Sequence, residues 1–169
     1  MTLVLRPFRE CDEAAARAAD EESTTEHQRF LVGLRDAETW SSYLERLSDL
    51  AAGRNLEPGF VPSLKLGAFV DGVLVGRSSL RLALTDALER GPGHIGYQVV
   101  PAHRRRGYAT EILRQSLIVI RSHGVDAVRL SCDVDNVGSA TVIERCGGVL
   151  IDTIASSLDG KPINRYVIV

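Results

Sequence analysis

The chain has 169 residues and a mass of 18.4 kDa, the size of one compact domain, and we expect residues 1–169 to form a single unit. Hydrophobic residues make up 44% and charged residues 25%, as in ordinary globular proteins. Twenty basic residues against 22 acidic ones give a net charge of -2, which excludes the broad basic surface of a nucleic-acid-binding protein.

Membrane and metal functions are also not expected from the sequence. The apolar runs are all shorter than the roughly 18 residues needed to cross a bilayer, so we expect a cytoplasmic protein that does not bind membranes. Three cysteines without Cys-x-x-Cys spacing predict reduced thiols and no zinc ribbon. His94 and His103 lack the partners and spacing of a metal site.

The first third of the chain predicts one strand, two helices and a loop. Residues 2–8 alternate in polarity and residues 10–22 are rich in alanine and acids, typical of a strand followed by a helix. The second helix has Asp36 as its expected cap and Gly53 as its end. Residues 54–63 contain two prolines and a glycine and predict a loop. The apolar stripe of the second helix consists of Trp40, Tyr43, Leu44, Leu47 and Leu50.

The rest of the chain predicts a hairpin followed by alternating helices and strands. Asp71-Gly72 is a strong hairpin signal between two apolar runs. A strand that Pro101 ends, a helix from about Gly107 to Gly124 and a returning strand indicate a parallel crossover. The predicted strands cover residues 64–70, 73–82, 95–99, 127–133, 149–155 and 163–169, with a connector over 85–93 and a short helix over 139–145.

Residues 99–110 combine a strand end, a basic loop and a helix start. The first N–H groups of a helix are unpaired and lie at the positive end of its dipole, which suits a phosphate or pyrophosphate. Three consecutive arginines add charge, Gly107 permits close backbone approach, and Ala109 keeps the first turn free of bulk. The alternative is a solvated arginine run before an ordinary helix.

The same loop resembles the acyl-CoA pyrophosphate motif of the GNAT superfamily of N-acetyltransferases. Arg104, Gly107 and Ala109 match its pattern Gln/Arg-x-x-Gly-x-Gly/Ala. The resemblance continues through HIGYQVVP before the loop and CDVDN and SATVIERCG after it. It covers residues 64–155 well and the ends loosely, and is strongest to a branch of predicted acetyltransferases with a Gly-His-Ile-Gly-Tyr strand.

This resemblance implies an α/β (α+β) fold. We expect a mixed, mainly antiparallel sheet of about seven strands, with helices on both faces and a central parallel pair that splits to admit coenzyme A. Residues 1–63 would then form the acceptor side, 64–155 the acyl-CoA core and 156–169 a C-terminal strand.

The resemblance also implies acetyl-CoA as the acyl donor, without a metal ion. Backbone N–H groups of Val99 and Val100 are expected to meet the thioester oxygen, where negative charge develops during attack. The implied donor-binding residues are Val99, Val100, Arg104, Arg105, Arg106, Gly107, Tyr108, Ala109, Thr110, Asn136 and Ser139.

The implied catalytic residues are His94, Asn136 and Ser139, and they depart from the common family pattern. The tyrosine that usually protonates the leaving thiolate lies seven positions after the asparagine, and counting from Asn136 gives Ile143. Ser139 is the available substitute, since related enzymes with Asn-x-x-Ser place that serine near the sulfur; its other interpretation is a helix N-cap. The candidate base is His94, with Tyr97, Asp133 and solvent as alternatives, although a lone strand histidine is often structural.

These observations predict an N-acetyltransferase that moves an acetyl group to a primary amine by direct attack in a ternary complex. The alternatives are a protein N-terminal acetyltransferase and a non-catalytic acyl-CoA sensor. The acceptor would be a small-molecule amine or a peptide N-terminus, and a homodimer through an exposed sheet edge is possible. The run from Gly91 to Gly96 satisfies Gly-x-Gly-x-x-Gly, but it precedes a strand and not a helix, so a dinucleotide site is not expected.

Overall fold

The computed structural model describes residues 2–24 and 29–169 and contains seven strands in that part of the chain. The strands are β1 (Leu3–Pro7), β2 (Ser63–Val70), β3 (Val73–Arg81), β4 (Ile95–Val99), β5 (Val128–Asp133), β6 (Val149–Ala155) and β7 (Pro162–Ile168). The α-helices are α1 (Glu13–Thr24), α2 (Trp40–Ala51), α3 (Asp86–Glu89), α4 (Tyr108–Ser122) and α5 (Val137–Arg145). Short 3-10 helices cover Glu10–Asp12 and Pro101–His103.

The strands form two antiparallel sheets. One has the order β1-β2-β3-β4 and the other the order β5-β7-β6. Among the described residues no parallel ladder joins β4 and β5, the two strands expected to form the central parallel pair. An isolated antiparallel bridge joins Gly93 to Leu130, and the His94 N–H donates to the Arg129 carbonyl at 2.7 Å. Beyond this point β4 and β5 are not paired, which leaves a cleft between the sheets.

Helices cover both faces of the first sheet. Helix α4 packs on β1, β3 and β4 and buries Ile112, Leu113 and Ile120 completely. Helices α1 and α2 contribute to a second apolar cluster around Trp40 and Tyr43 on the other side.

Three local features differ from the sequence-based expectations. Helix α2 is capped by Thr39, whose side chain accepts from the Ser42 N–H at 3.2 Å, and not by Asp36. The predicted connector contains α3, capped by Thr85. Helix α5 begins two residues early because Asn136 is its cap. In each case the chosen cap is the side chain that reaches an unpaired N–H three residues later.

Candidate active site

A cavity of about 810 Å³ opens beside β4, an edge strand of the first sheet. Strand β4, the basic loop, the start of α4 and helix α5 surround it. Its lining residues are Tyr97, Gln98, Val99, His103, Arg104, Arg105, Gly107, Tyr108, Ala109, Thr110, Asn136, Val137, Gly138, Ser139, Thr141, Val142 and Arg145.

The basic loop turns sharply into α4 through two residues with left-handed backbones. Arg105 has φ 64° and Gly107, the N-cap, has φ 81° with no side-chain cap. The first intrahelical bond is donated by Glu111 to the Gly107 carbonyl at 3.3 Å. The N–H groups of residues 108–110 therefore precede the helical ladder, and these residues line the cavity; unpaired N–H groups at a helix N-terminus are suited to an anion.

The register of β3 with β4 decides which backbone groups of β4 face the cleft. The Val100 N–H donates to the Val75 carbonyl at 3.0 Å, and Gly76 lies opposite Val99 in an unshifted register that runs back to Ile95. Because hydrogen-bonded and non-hydrogen-bonded pairs alternate, the N–H of Val99 points away from β3 toward the cleft. Of the two expected oxyanion donors, only the Val99 N–H faces the cavity, whereas the Val100 N–H is paired with Val75 and Val100 does not line the cavity.

Asn136 and Ser139 have separate roles at the start of α5. The Asn136 Oδ1 accepts from the Ser139 N–H at 3.0 Å, so Asn136 is the N-cap. The Ser139 hydroxyl is instead 2.8 Å from the Tyr97 hydroxyl. Burial raises the pKa of Tyr97 to about 12, so this phenol keeps its proton at neutral pH. The two hydroxyls form a hydrogen-bonded pair on the cavity wall.

Position 143 does not take part in this arrangement. Ile143 is fully buried in the core formed with Leu113 and Leu130. The thiol of Cys132 also lies in this core, and burial raises its pKa, as it does for Cys146. Neither thiol has the lowered pKa of a catalytic nucleophile.

His94 lies outside the cavity, at the junction of the two sheets. Its Nδ1 accepts from the Arg129 N–H at 2.9 Å, and burial lowers the pKa of the imidazole. With Nδ1 occupied, the neutral ring carries its proton on Nε2, and neither nitrogen is free to accept a proton. This geometry favours a structural role for His94 over the predicted role as base.

The cavity brings together most of the predicted donor-binding residues. Val100 and Arg106 are the two that do not line it. The sequence analysis missed Arg145 and Thr141, which α5 directs to the same wall. Their signal is the helical spacing from Gly138, which is three residues before Thr141 and seven before Arg145, and it becomes informative only once the face of α5 that lines the cleft is known.

Comparison with known proteins identifies the family. Residues 2–149 match the sequence model described as the acetyltransferase (GNAT) domain. The chain belongs to the GNAT acetyltransferase family. This GNAT protein is therefore an acyltransferase.

Solved structures share the fold of this GNAT protein at low sequence identity. RimL, a ribosomal L7/L12 alpha-N-protein acetyltransferase in complex with coenzyme A, has a TM-score of 0.71 at 17% identity, covering 100% of this chain and 94% of RimL. RimJ from Mycobacterium smegmatis, in complex with CoA-disulfide, has a TM-score of 0.70 at 19% identity, with coverage of 98% and 81%. The microcin C7 self-immunity acetyltransferase MccE, in complex with acetyl-CoA and AMP, has a TM-score of 0.69 at 16% identity, with coverage of 99% and 92%.

Other comparisons give negative results. No curated protein matches the GNAT chain significantly by sequence. Within residues 2–24 and 29–169, no group of three or more His, Cys, Asp or Glu side chains is placed to hold a metal ion. The same residues include no helix with the length and apolarity needed to cross a membrane.

Proposed function

We propose that this protein transfers the acetyl group of acetyl-CoA directly to a primary amine within a ternary complex. The observation that supports the proposal is the cavity between β4 and α5, which is lined both by the N-terminus of α4, without a side-chain cap, and by Val99, whose N–H is not paired with β3. The helix terminus would bind a pyrophosphate and the Val99 N–H would bind a thioester carbonyl, and one elongated ligand carries both groups.

The first turn of α4 would bind the pyrophosphate. The N–H groups of Tyr108, Ala109 and Thr110 supply directed donors, while Arg105 and Arg145 supply charge from two sides of the cavity. Gly107 adopts the left-handed backbone that turns these N–H groups toward the ligand. Open space surrounds the Gly107 Cα on the side where a Cβ would stand, so a pyrophosphate has room to approach.

The chemical step forms one bond and breaks another. The amine nitrogen attacks the thioester carbon, the Val99 N–H stabilises the developing oxyanion, and the C–S bond then breaks. Ser139 would protonate the departing thiolate and regain a proton from the Tyr97 hydroxyl, 2.8 Å away, while solvent returns one to Tyr97, so that the phenol ends the step protonated. Thiols have a pKa near 8.5, so this proton donor needs to contribute only about a hundredfold. The acceptor amine loses its proton to solvent or to Asp133 at the end of β5.

An amine panel tests the proposal. Calorimetry should show acetyl-CoA binding that chelators do not change, and thiol release should depend on an added amine. Binding without thiol release for any amine would contradict acetyl transfer and leave the non-catalytic sensor. A ping-pong kinetic pattern would contradict direct attack.

A protein N-terminus is the second candidate acceptor. The Asn136-x-x-Ser139 sequence favours it, since it resembles N-terminal acetyltransferases, and the fold is shared with RimL and RimJ. Peptides with free N-termini, compared with small amines at equal concentration, separate the two acceptor classes.

A homodimer through the exposed edge of the second sheet also remains a proposal. Strand β6 is an edge strand, and Val149, Leu150 and Ile151 are all exposed on it. Light scattering of wild type and Leu150→Lys measures the oligomeric state. A monomeric wild type would contradict this proposal.

A further inference from the structure

Three cationic side chains lie on one face of the first sheet. Lys65 on β2 is opposite Ser79 on β3, and Arg77 and Arg81 are two residues to either side of Ser79. Successive side chains of a strand alternate between faces, so the three cations share the face opposite α4. All three are mostly buried, yet each keeps part of its side chain exposed.

The hydrogen-bond partners of these cations are all neutral. The Lys65 ammonium contacts the Ser79 hydroxyl, and Arg81 donates to the Gly93 carbonyl at 3.1 Å. Arg77 donates to the Gln98 Oε1 at 2.9 Å and to the Arg29 carbonyl at 3.2 Å. In the part of the chain that the structure describes, no carboxylate is within ion-pair distance of any of the three cations.

Other partly buried arginines of this protein do have carboxylate partners. Arg6 pairs with Asp12 at 2.6 Å, and Arg46 pairs with Glu38 at 2.7 Å. The three cations on the sheet differ from these arginines because they are buried without a carboxylate partner among the described residues. Burial lowers the pKa of Lys65 to about 7 and that of Arg77 to about 10, with the neighbouring positive charges adding to both effects. A cluster of desolvated like charges is unfavourable unless an anion joins it.

Gln98 connects this cluster to the donor cleft. It lies opposite Arg77 in the register and also lines the 810 Å³ cavity. Its side chain is 7% exposed, and its Nε2 is buried without a hydrogen-bond partner. Because Arg77 already donates to Oε1, the unpaired group is an N–H donor, which needs an acceptor atom from a ligand.

We propose that Lys65, Arg77 and Arg81 bind an oxyanion, a carboxylate or a phosphate, carried by the acceptor amine. This inference rests on the proposed acetyl transfer and specifies its substrate class. The anion would neutralise the cluster, and the Gln98 Nε2 would donate to the same acceptor molecule. The amine of that molecule would then lie beside Gln98, between its neighbours Tyr97 and Val99, where the thioester is bound. Neutral or purely cationic amines would leave the charges uncompensated and be poor acceptors.

The kinetic test uses matched acceptors and matched variants. The carboxylate arm compares an amino acid with its amide, and the phosphate arm compares phosphoethanolamine with ethanolamine. In the preferred arm we expect kcat/KM to favour the anionic member at least about tenfold, as loss of a charge-assisted bond implies. Lys65→Met and Arg81→Gln should remove most of this preference while CoA affinity stays within about threefold. Lys161→Met, at an exposed lysine, is the control and should keep the preference.

A binding measurement decides the question without turnover. Melting temperatures are measured with and without inorganic phosphate, at constant ionic strength and with saturating CoA in the pyrophosphate site. Phosphate should raise the melting temperature of the wild type and of Lys161→Met. It should not raise that of Lys65→Met or Arg81→Gln. Equal phosphate effects in all four proteins, or equal kcat/KM for charged and neutral acceptors, would overturn the inference. Absence of CoA binding would overturn the proposed function instead, and phosphate added alone would still report on the three cations.

Discussion

Replacing Lys65 by methionine should stabilise the protein. Burial lowers the pKa of Lys65 from 10.5 to about 7, so the folded chain disfavours the ammonium by on the order of 4 kcal/mol at pH 7. Methionine removes the charge and keeps an unbranched apolar side chain. The buried Ser79 hydroxyl loses its contact with the lysine, which costs about 1–3 kcal/mol. The net gain in unfolding free energy is therefore about 1–3 kcal/mol, or roughly 2–12 °C in melting temperature.

The pH dependence of this gain tests its cause. Between pH 7 and 10.5 the unfolded chain still holds the lysine proton that the folded chain has released, so the stability of the wild type rises with pH relative to the variant. Urea unfolding of wild type, Lys65→Met and the control Lys161→Met at pH 6.5, 8 and 9.5 measures the difference. The advantage of Lys65→Met should be greatest at pH 6.5 and shrink at higher pH. A variant less stable than wild type at pH 6.5, or an advantage independent of pH, would refute the argument that the amine is desolvated.

Three further predictions concern the donor cleft and the sheet junction. Gly107→Trp should weaken CoA binding at least about tenfold, because the left-handed backbone of this N-cap brings the N–H groups to the pyrophosphate. If calorimetry finds the wild-type affinity for CoA in this variant, the pyrophosphate is bound elsewhere. Asn136→Ala should lower the unfolding free energy by about 1 kcal/mol, because the helix loses its cap. Ser139→Ala should instead lower turnover and keep the affinity for acetyl-CoA within a few fold. Full turnover in Ser139→Ala would exclude Ser139 as the proton donor. His94→Asn should leave the pH profile of acetylation unchanged, and a shifted profile would restore the histidine as base. Because burial lowers the pKa of His94, the wild type should lose stability as pH falls below about 6.5, and unfolding curves should show a smaller loss in the variant.

The donor-binding loop could be predicted because its signals are local. Three arginines, Gly107 and the following helix lie within a few residues, and the turn geometry follows from glycine at the N-cap. The start of α5 is local as well, but Asn136 and Ser139 are both good caps, and only the position of the Tyr97 hydroxyl assigns their separate roles. Two chemically equivalent candidates three residues apart cannot be ranked by residue type.

Roles that depend on distant strands could not be predicted in the same way. His94 is held by an N–H from Arg129, 35 residues along the chain. The alternation of Arg77, Ser79 and Arg81 is visible in the sequence, but such a pattern is usual for a strand face in water. Only the strand register shows that Lys65 joins this face, and only the three-dimensional structure shows that, among the described residues, no carboxylate forms an ion pair with these cations.

Gly93 lies at the contact that joins the two sheets. Gly93 has φ 65°, and a Cβ at this position would meet the carbonyl oxygen of Arg129 on the opposing strand. Val99 is six residues further along, about 20 Å at the rise of a strand, and its position is fixed by the pairing of β4 with β3. The two sheets are therefore joined at a point far from the thioester. A side chain at Gly93 would strain this joint without touching either substrate.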